Sequence, residues 1–243
     1  MRQYRKEITT IGQHSPEFLN VYVQEAIHKI SMNNNICKIG DIGCGIGFHS
    51  RILKNKFNHI HFTGIDFSKA TIDYLSQNKI FDEICLASSS KLPITDKYFD
   101  IVISMENLEH LYYEDVLEAL YELKRTGKFI IITTPIPSLV VNTRWIISEI
   151  TEATEDMIPL TDHDYSCLES CVHKSIINPP SLLEAGFKQE KIYGTESECY
   201  YANSDSIDLT KIQFNGIKKL SISDCKTRYL TLLNNSLFMN TKF

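Results

Sequence analysis

The chain has no run approaching the roughly 18 to 20 apolar residues that a membrane-spanning helix needs. Its first residues carry Arg2, Arg5, Lys6 and Glu7 with no apolar stretch behind them, so neither a signal peptide nor an anchor is expected. Basic excess is missing too: 25 Lys and Arg face 30 Asp and Glu, giving a net charge of −5 and a pI near 5.9. A nucleic acid backbone wants a basic face, so this balance argues against nucleic acid as the main partner. There is no C-x-x-C pair and no regular cysteine spacing; the seven cysteines stand at 37, 44, 85, 167, 171, 199 and 225. An odd number without a framework fits reduced thiols in a cytoplasmic protein. Cys167 and Cys171, with His163 and His173 near them, lack the second tight pair that a structural zinc site requires.

What the chain does have is a core. At 243 residues and 43 % hydrophobic content it is long enough for one domain with an appendage. From Ile36 onward, strand and helix signals alternate. Strands are predicted near 37–42, 60–66, 83–87, 99–105 and 128–134, and helices near 47–56, 69–78 and 113–125. Phe129-Ile130-Ile131-Ile132 is apolar on both faces, as a central strand should be. The pattern is that of an α/β, Rossmann-like, doubly wound and mostly parallel sheet covered on both faces.

The organising stretch is Ile39-Gly40-Asp41-Ile42-Gly43-Cys44-Gly45-Ile46-Gly47-Phe48, an apolar strand running through three alternate glycines into a helix. Two common glycine-rich turns do not fit. A phosphate-binding P-loop ends in Gly-Lys-Ser/Thr, where this chain has Gly47-Phe48-His49, and the dinucleotide fingerprint needs glycine at Phe48. Asp41 just before the turn would repel a pyrophosphate and attract an ammonium, which points to a cationic or amine-bearing ligand.

This stretch resembles the first motif of class I S-adenosylmethionine-dependent methyltransferases. Three later segments extend the resemblance. His61-Phe62-Thr63-Gly64-Ile65-Asp66-Phe67-Ser68 ends a strand in a carboxylate about 20 residues after the glycines, where a doubly wound fold puts its ribose-binding acid. The resemblance implies Asp66 on the ribose hydroxyls and Phe67 on the adenine; Ser68 is also a good helix N-cap. Ser88-Ser89-Ser90-Lys91-Leu92-Pro93 resembles the segment holding the adenine edge, with Ser88 where the family usually has Asp, and the backbone of Ser89 beside it. Met105 then follows the fourth strand and is expected to pack on the purine. The cofactor set is therefore Asp41, Gly43, Cys44, Gly45, Gly47, Asp66, Phe67, Ser88, Ser89 and Met105.

Glu106, Glu109 and His110 form Glu-x-x-Glu-His. If the segment continues helically, positions three and four apart share a face, and two carboxylates held together invite a cation or a proton between them. The run resembles the ubiquinone-biosynthesis O-methyltransferases, and also small-RNA 3′-terminal 2′-O-methyltransferases. In both, a later histidine joins such a run around a divalent ion, Mg or similar. His173 and His163 are the candidates for that histidine, with His173 before Ile177, Pro180 and the Leu-Leu-Glu-Ala-Gly-Phe phrase the better fit. Glu106, Glu109, His110 and His173 are the implied metal set, and His110 and His173 the implied catalytic residues. The same Leu-Glu-His run also occurs in metal-free small-molecule methyltransferases, where Glu109 and His110 act as caps.

The resemblance implies methyl transfer from S-adenosylmethionine, with O-methylation of a small polar molecule (a sugar, a phenol or a quinone precursor) as the leading expectation. RNA 3′-terminal 2′-O-methylation, small-molecule N-methylation and a catalytically silent cofactor-binding protein are the alternatives. Ser15-Pro16-Glu17 should start a leading helix that ends near 31–35, making 1–35 an N-terminal helical cap and 36–243 the methyltransferase domain. A lid insertion about 138–178 is expected after the fifth strand, with a helix around the only tryptophan, Trp145. Pro179 to Gly186 should form a short helix, followed by a strand through Lys188–Ile192. A last sheet strand is expected near 209–215, and a helix near 225–238. Oligomeric state is not legible.

Overall fold

The computed structural model describes residues 19–135, 173–190 and 197–216. Its first element, α1 (Leu19–Ser31), buries Leu19, Val23, Ala26, Ile27 and Ile30, the three-to-four spacing that gives a helix one apolar face. The βα alternation follows: β1 (Lys38–Ile42), α2 (Phe48–Lys56), β2 (His61–Asp66), α3 (Lys69–Asn78), β3 (Glu83–Leu86), β4 (Phe99–Met105), a 3₁₀ turn at Leu108–His110, α4 (Tyr113–Thr126) and β5 (Gly127–Pro135). The C-terminal part contributes β6 (Ser175–Ile177), α5 (Pro179–Glu184), β7 (Lys188–Glu190), β8 (Ser197–Asn203) and β9 (Phe214–Gly216).

Seven strands form one sheet in the order β3-β2-β1-β4-β5-β8-β7. The first five are parallel, and β8 runs antiparallel to both β5 and β7. The fold is Rossmann-like and mostly parallel, as the alternation of periods implied. Strand order reverses between β1 and β4, and the crevice outside the carboxyl ends of those strands is where such sheets bind ligands.

Side chains of successive strand residues feed opposite layers. Ile101, Ile103 and Ile131 pack with Val23 and Ile27 of α1, Leu53 of α2 and Leu75 of α3. Val102, Ile130 and Ile132 pack with Val116, Leu120 and Leu123 of α4 and Leu182 of α5. This is why β4 and β5 are apolar on both faces. Truncating one such residue, Ile101→Ala, should cost about 2–5 kcal/mol. α4 also ties down the β3–β4 loop: Arg125 donates to the carbonyls of Leu92 and Ile94, while Glu122 accepts from the Leu92 amide.

One expectation needs correction. The sheet's remaining strand is Ser197–Asn203, not 209–215. Residues 209–211 make a 3₁₀ turn, and Phe214–Gly216 instead pairs with Ser175–Ile177 in a separate two-stranded ribbon. β8 carries Ser197, Glu198 and Asn203 and lies between β5 and the three-residue β7, so its apolar signal is diluted. The start of the leading helix at Ser15-Pro16-Glu17, the helix around Trp145, the helix near 225–238 and the lid before residue 173 lie outside the described residues, as do His163, Cys167, Cys171 and Cys225.

Candidate active site

β1 delivers the chain into a loop with Gly43 at φ +75°, Gly45 at +50° and Gly47 at +74°, a left-handed region that only glycine enters freely. The loop's amides are turned inward. Gly43 and Cys44 both donate to the Ile65 carbonyl (2.8 and 3.1 Å), and Gly47 donates to Cys44. Gly45 donates to Asp66 Oδ2 at 3.0 Å. With four of its N–H groups committed in this way, the loop presents few free donors to a phosphate. A Cβ built on Gly45 would meet nothing within 4 Å among the described residues, which leave the space above it open.

Asp66 ends β2 at 7 % exposure. Its Oδ1 accepts from Ser68 N at 2.8 Å, while Ser68 Oγ caps α3 by accepting from Thr71 N. The capping role of Ser68 is thus met, and each Asp66 carboxylate oxygen keeps a second lone pair. Burial raises the Asp66 pKa, opposed by these two amide bonds. Phe67, 63 % exposed, leaves an aromatic face uncovered beside the acid.

Asp41 is deeper, at 2 % exposure. Its Oδ2 accepts from Ser50 Oγ at 2.6 Å, and Oδ1 is buried with no hydrogen-bond partner among the described residues. Loss of hydration pushes its pKa up to about 7. Ser88 is exposed and its hydroxyl bonds locally, to Ser90, whereas Ser89 is buried.

Met105 departs from its expected role. At 6 % exposure it belongs to the apolar layer containing Ile103, Ile131 and Cys199, so it supports the site from within and offers no face to a purine. Strand alternation sends Ser104 to the other side. Asn107 there, which the sequence did not single out, donates to Ser104 Oγ at 3.1 Å and Ser89 Oγ at 3.3 Å.

The Glu-x-x-Glu-His run does not form one helical face. Glu106 sits at φ +47°, with its amide on Thr133 and its Oε2 accepting from Ser197 Oγ at 2.9 Å. The left-handed backbone sends it toward β5 and β8. Glu109, His110 and His173 instead come together, with one donor atom from each within 4.8 Å of the others. The His110 and His173 rings meet edge to face, centroids 4.8 Å apart. Lys174 clamps the cluster: its backbone N donates to the Glu109 carbonyl and its Nζ to the His110 carbonyl, each at 2.6 Å. Glu109 is 1 % exposed, and neither of its carboxylate oxygens has a hydrogen-bond partner among the described residues. Burial, and then the nearby Glu106 charge, drive its pKa well upward. Burial and the Lys174 charge lower His173 to about 4, so its imidazole is neutral at pH 7.

Residues 40–130 match the family described as "Methyltransferase domain". (S)-coclaurine N-methyltransferase of Papaver somniferum is 27 % identical over 124 residues, 49 % of this chain and 34 % of the relative. (S)-tetrahydroprotoberberine N-methyltransferase of Eschscholzia californica is 31 % identical over 97 residues, 36 % of this chain and 27 % of its own. The chain thus spans about a third or less of the length of these relatives. The crystal structure of the PH0226 protein from Pyrococcus horikoshii OT3 shares the fold: TM-score 0.50 at 16 % identity, over 78 % of this chain and 92 % of that one.

Proposed function

We propose that this chain is an S-adenosylmethionine-dependent methyltransferase that methylates a hydroxyl of a small polar molecule, with a divalent cation held by Glu109, His110 and His173. The observation that carries the methyltransferase reading is the Gly43–Gly47 loop: the amides of Gly43, Cys44, Gly45 and Gly47 are taken up by Ile65, Asp66 and Cys44, space above Gly45 is open among the described residues, and the loop is flanked by two carboxylates. Asp66 keeps lone pairs for two ribose hydroxyls, Phe67 offers a face to adenine, and Asp41, in its ionised form, sets a negative field behind the loop for an ammonium.

The cofactor, when bound, supplies a methyl group on a sulfonium, a good leaving group. The chain's own part is alignment and exclusion of water around the acceptor. Glu109 fits a metal ligand because its two buried oxygens have no donor among the described residues, and a neutral imidazole such as His173 is the ligating form. A cation there would acidify a bound hydroxyl. An imidazole held near pKa 4 is a poor general base, which favours ligation over direct proton abstraction by His173.

The names of the two plant relatives favour a second reading, N-methylation of a small amine, in which the same cofactor loop is used and the Glu109 cluster is not needed for deprotonation. Labelled S-adenosylmethionine offered with catechols, sugars and secondary amines, with and without chelator, separates the two. Chelator-sensitive transfer to a hydroxyl supports the first reading, and chelator-indifferent transfer to an amine supports the second. No transfer to either class would count against both.

A further inference from the structure

The buried position of Asp41 leaves a question about what meets the positive end of the ligand. Asp41 has Ser50 on one oxygen, and its other oxygen is sealed from solvent, so its carboxylate acts at a distance. Four of the loop amides, those of Gly43, Cys44, Gly45 and Gly47, are engaged within the protein. The side chain that reaches over the loop is Asn107. A Cβ placed on Gly43 would lie 2.2 Å from Asn107 Oδ1 and 2.8 Å from Nδ2, so the amide occupies the space that glycine leaves. Both Nδ2 protons are committed, to Ser104 Oγ at 3.1 Å and Ser89 Oγ at 3.3 Å. That turns the oxygen toward the loop. Three segments that line the crevice, the ends of β1 and β4 and the Ser88–Ser90 turn, thus converge on one side-chain amide, and the group it offers is an acceptor.

We propose that Asn107 is a cofactor-positioning residue whose Oδ1, oriented by Ser89 and Ser104, accepts a hydrogen bond from the ammonium of the cofactor's amino acid half. The inference rests on the methyltransferase reading above. It goes beyond that reading by separating two ends of one ligand: Asp66 holds the ribose and Asn107 reads the amino acid. An amide oxygen is neutral, so it can lie at the crevice wall without adding a third carboxylate to Asp41 and Asp66. A hydrogen bond to a charged group contributes enough that its loss costs about tenfold or more in affinity.

The test uses two probes that share a nucleoside and differ in the amino acid half, S-adenosylhomocysteine and 5′-methylthioadenosine, titrated by calorimetry into the full chain. Asn107→Ala should weaken S-adenosylhomocysteine about tenfold or more and leave 5′-methylthioadenosine within about twofold. Asn107→Asp, whose oxygen takes the same place, should retain or tighten S-adenosylhomocysteine. Equal weakening of both probes, with a lowered melting temperature, would make Asn107 a strut and overturn the proposal. So would unchanged binding of both. A wild-type chain that binds neither probe would overturn the methyltransferase reading and this inference together, whereas wild-type binding with an indifferent Asn107→Ala would overturn this inference alone.

Discussion

Asp66 Oδ2 accepts the Gly45 amide at 3.0 Å, so the acid that ends β2 and the glycine loop that follows β1 are one mechanical unit. The bond holds Gly45 at φ +50°, where its missing Cβ opens onto empty space. Under the proposed function, the carboxylate that recognises the ligand also sets the shape of the loop, and changes on either side of the bond should be read together.

Gly45→Ala and Gly43→Ala should fail differently. Alanine at 45 meets nothing within 4 Å, so only the left-handed backbone opposes it, about 1–2 kcal/mol. Its methyl enters the space above the loop, and binding of S-adenosylhomocysteine should fall while the fold survives. Alanine at 43 would lie 2.2 Å from Asn107 Oδ1, so the Asn107 side chain must also be displaced. Thermal melts paired with calorimetry should show Gly43→Ala to be the less stable variant and Gly45→Ala stable but deficient in binding.

Asp41 makes stability pH-dependent. Its folded pKa of about 7 stands above its ordinary 3.8, so the folded state holds a proton that the unfolded state has released between those values. Stability from this group is therefore present at low pH, falls as pH rises from about 4 to about 7, and is flat above. Asp41→Asn keeps an acceptor for Ser50 and removes the titration. Without cofactor, it should melt higher than wild type at pH 8, with the difference shrinking at pH 5.5. Melting curves at the two pH values check this; a difference that grows on acidification would contradict it.

The Glu109 cluster should respond to cations. Manganese or magnesium should raise the melting temperature of the wild-type chain, since a ligand bound only to the folded state stabilises it by mass action. Glu109→Gln and His173→Ala should abolish the shift. Glu109→Gln should also raise stability in the presence of chelator, because it removes a carboxyl that burial first, and then the Glu106 charge, disfavour in the ionised form. Shifts of equal size in all three chains would exclude the cluster as the binding place.

The sequence made the βα frame legible because β1, β2, β4 and β5 are apolar on both faces and the intervening helices carry one apolar stripe. The glycine loop, Asp66 and the pairing of His173 with His110 were also within reach of local pattern and resemblance. What escaped depends on backbone states that no period reports. Glu106 at φ +47° breaks the helical spacing assumed for Glu-x-x-Glu-His, and sends its side chain to Ser197, 91 residues away in the chain. Met105 could not be told from a ligand-facing residue until the strand's phase placed it with Ile103 and Ile131. Asn107 gains its position from Ser89, Ser104 and Gly43, three contacts that only the tertiary fold assembles. β8 was missed because polar residues at Ser197, Glu198 and Asn203 interrupt its apolar run.

The most direct measurement of the central claim is calorimetric titration of S-adenosylhomocysteine into wild type and Asp66→Asn. Asparagine keeps the shape but has one acceptor oxygen for the two amides of Gly45 and Ser68, and it loses the charge. One-site binding to wild type, weakened about tenfold or more in Asp66→Asn, is the predicted result. Absence of binding to wild type, or equal affinity in both chains, would contradict the account.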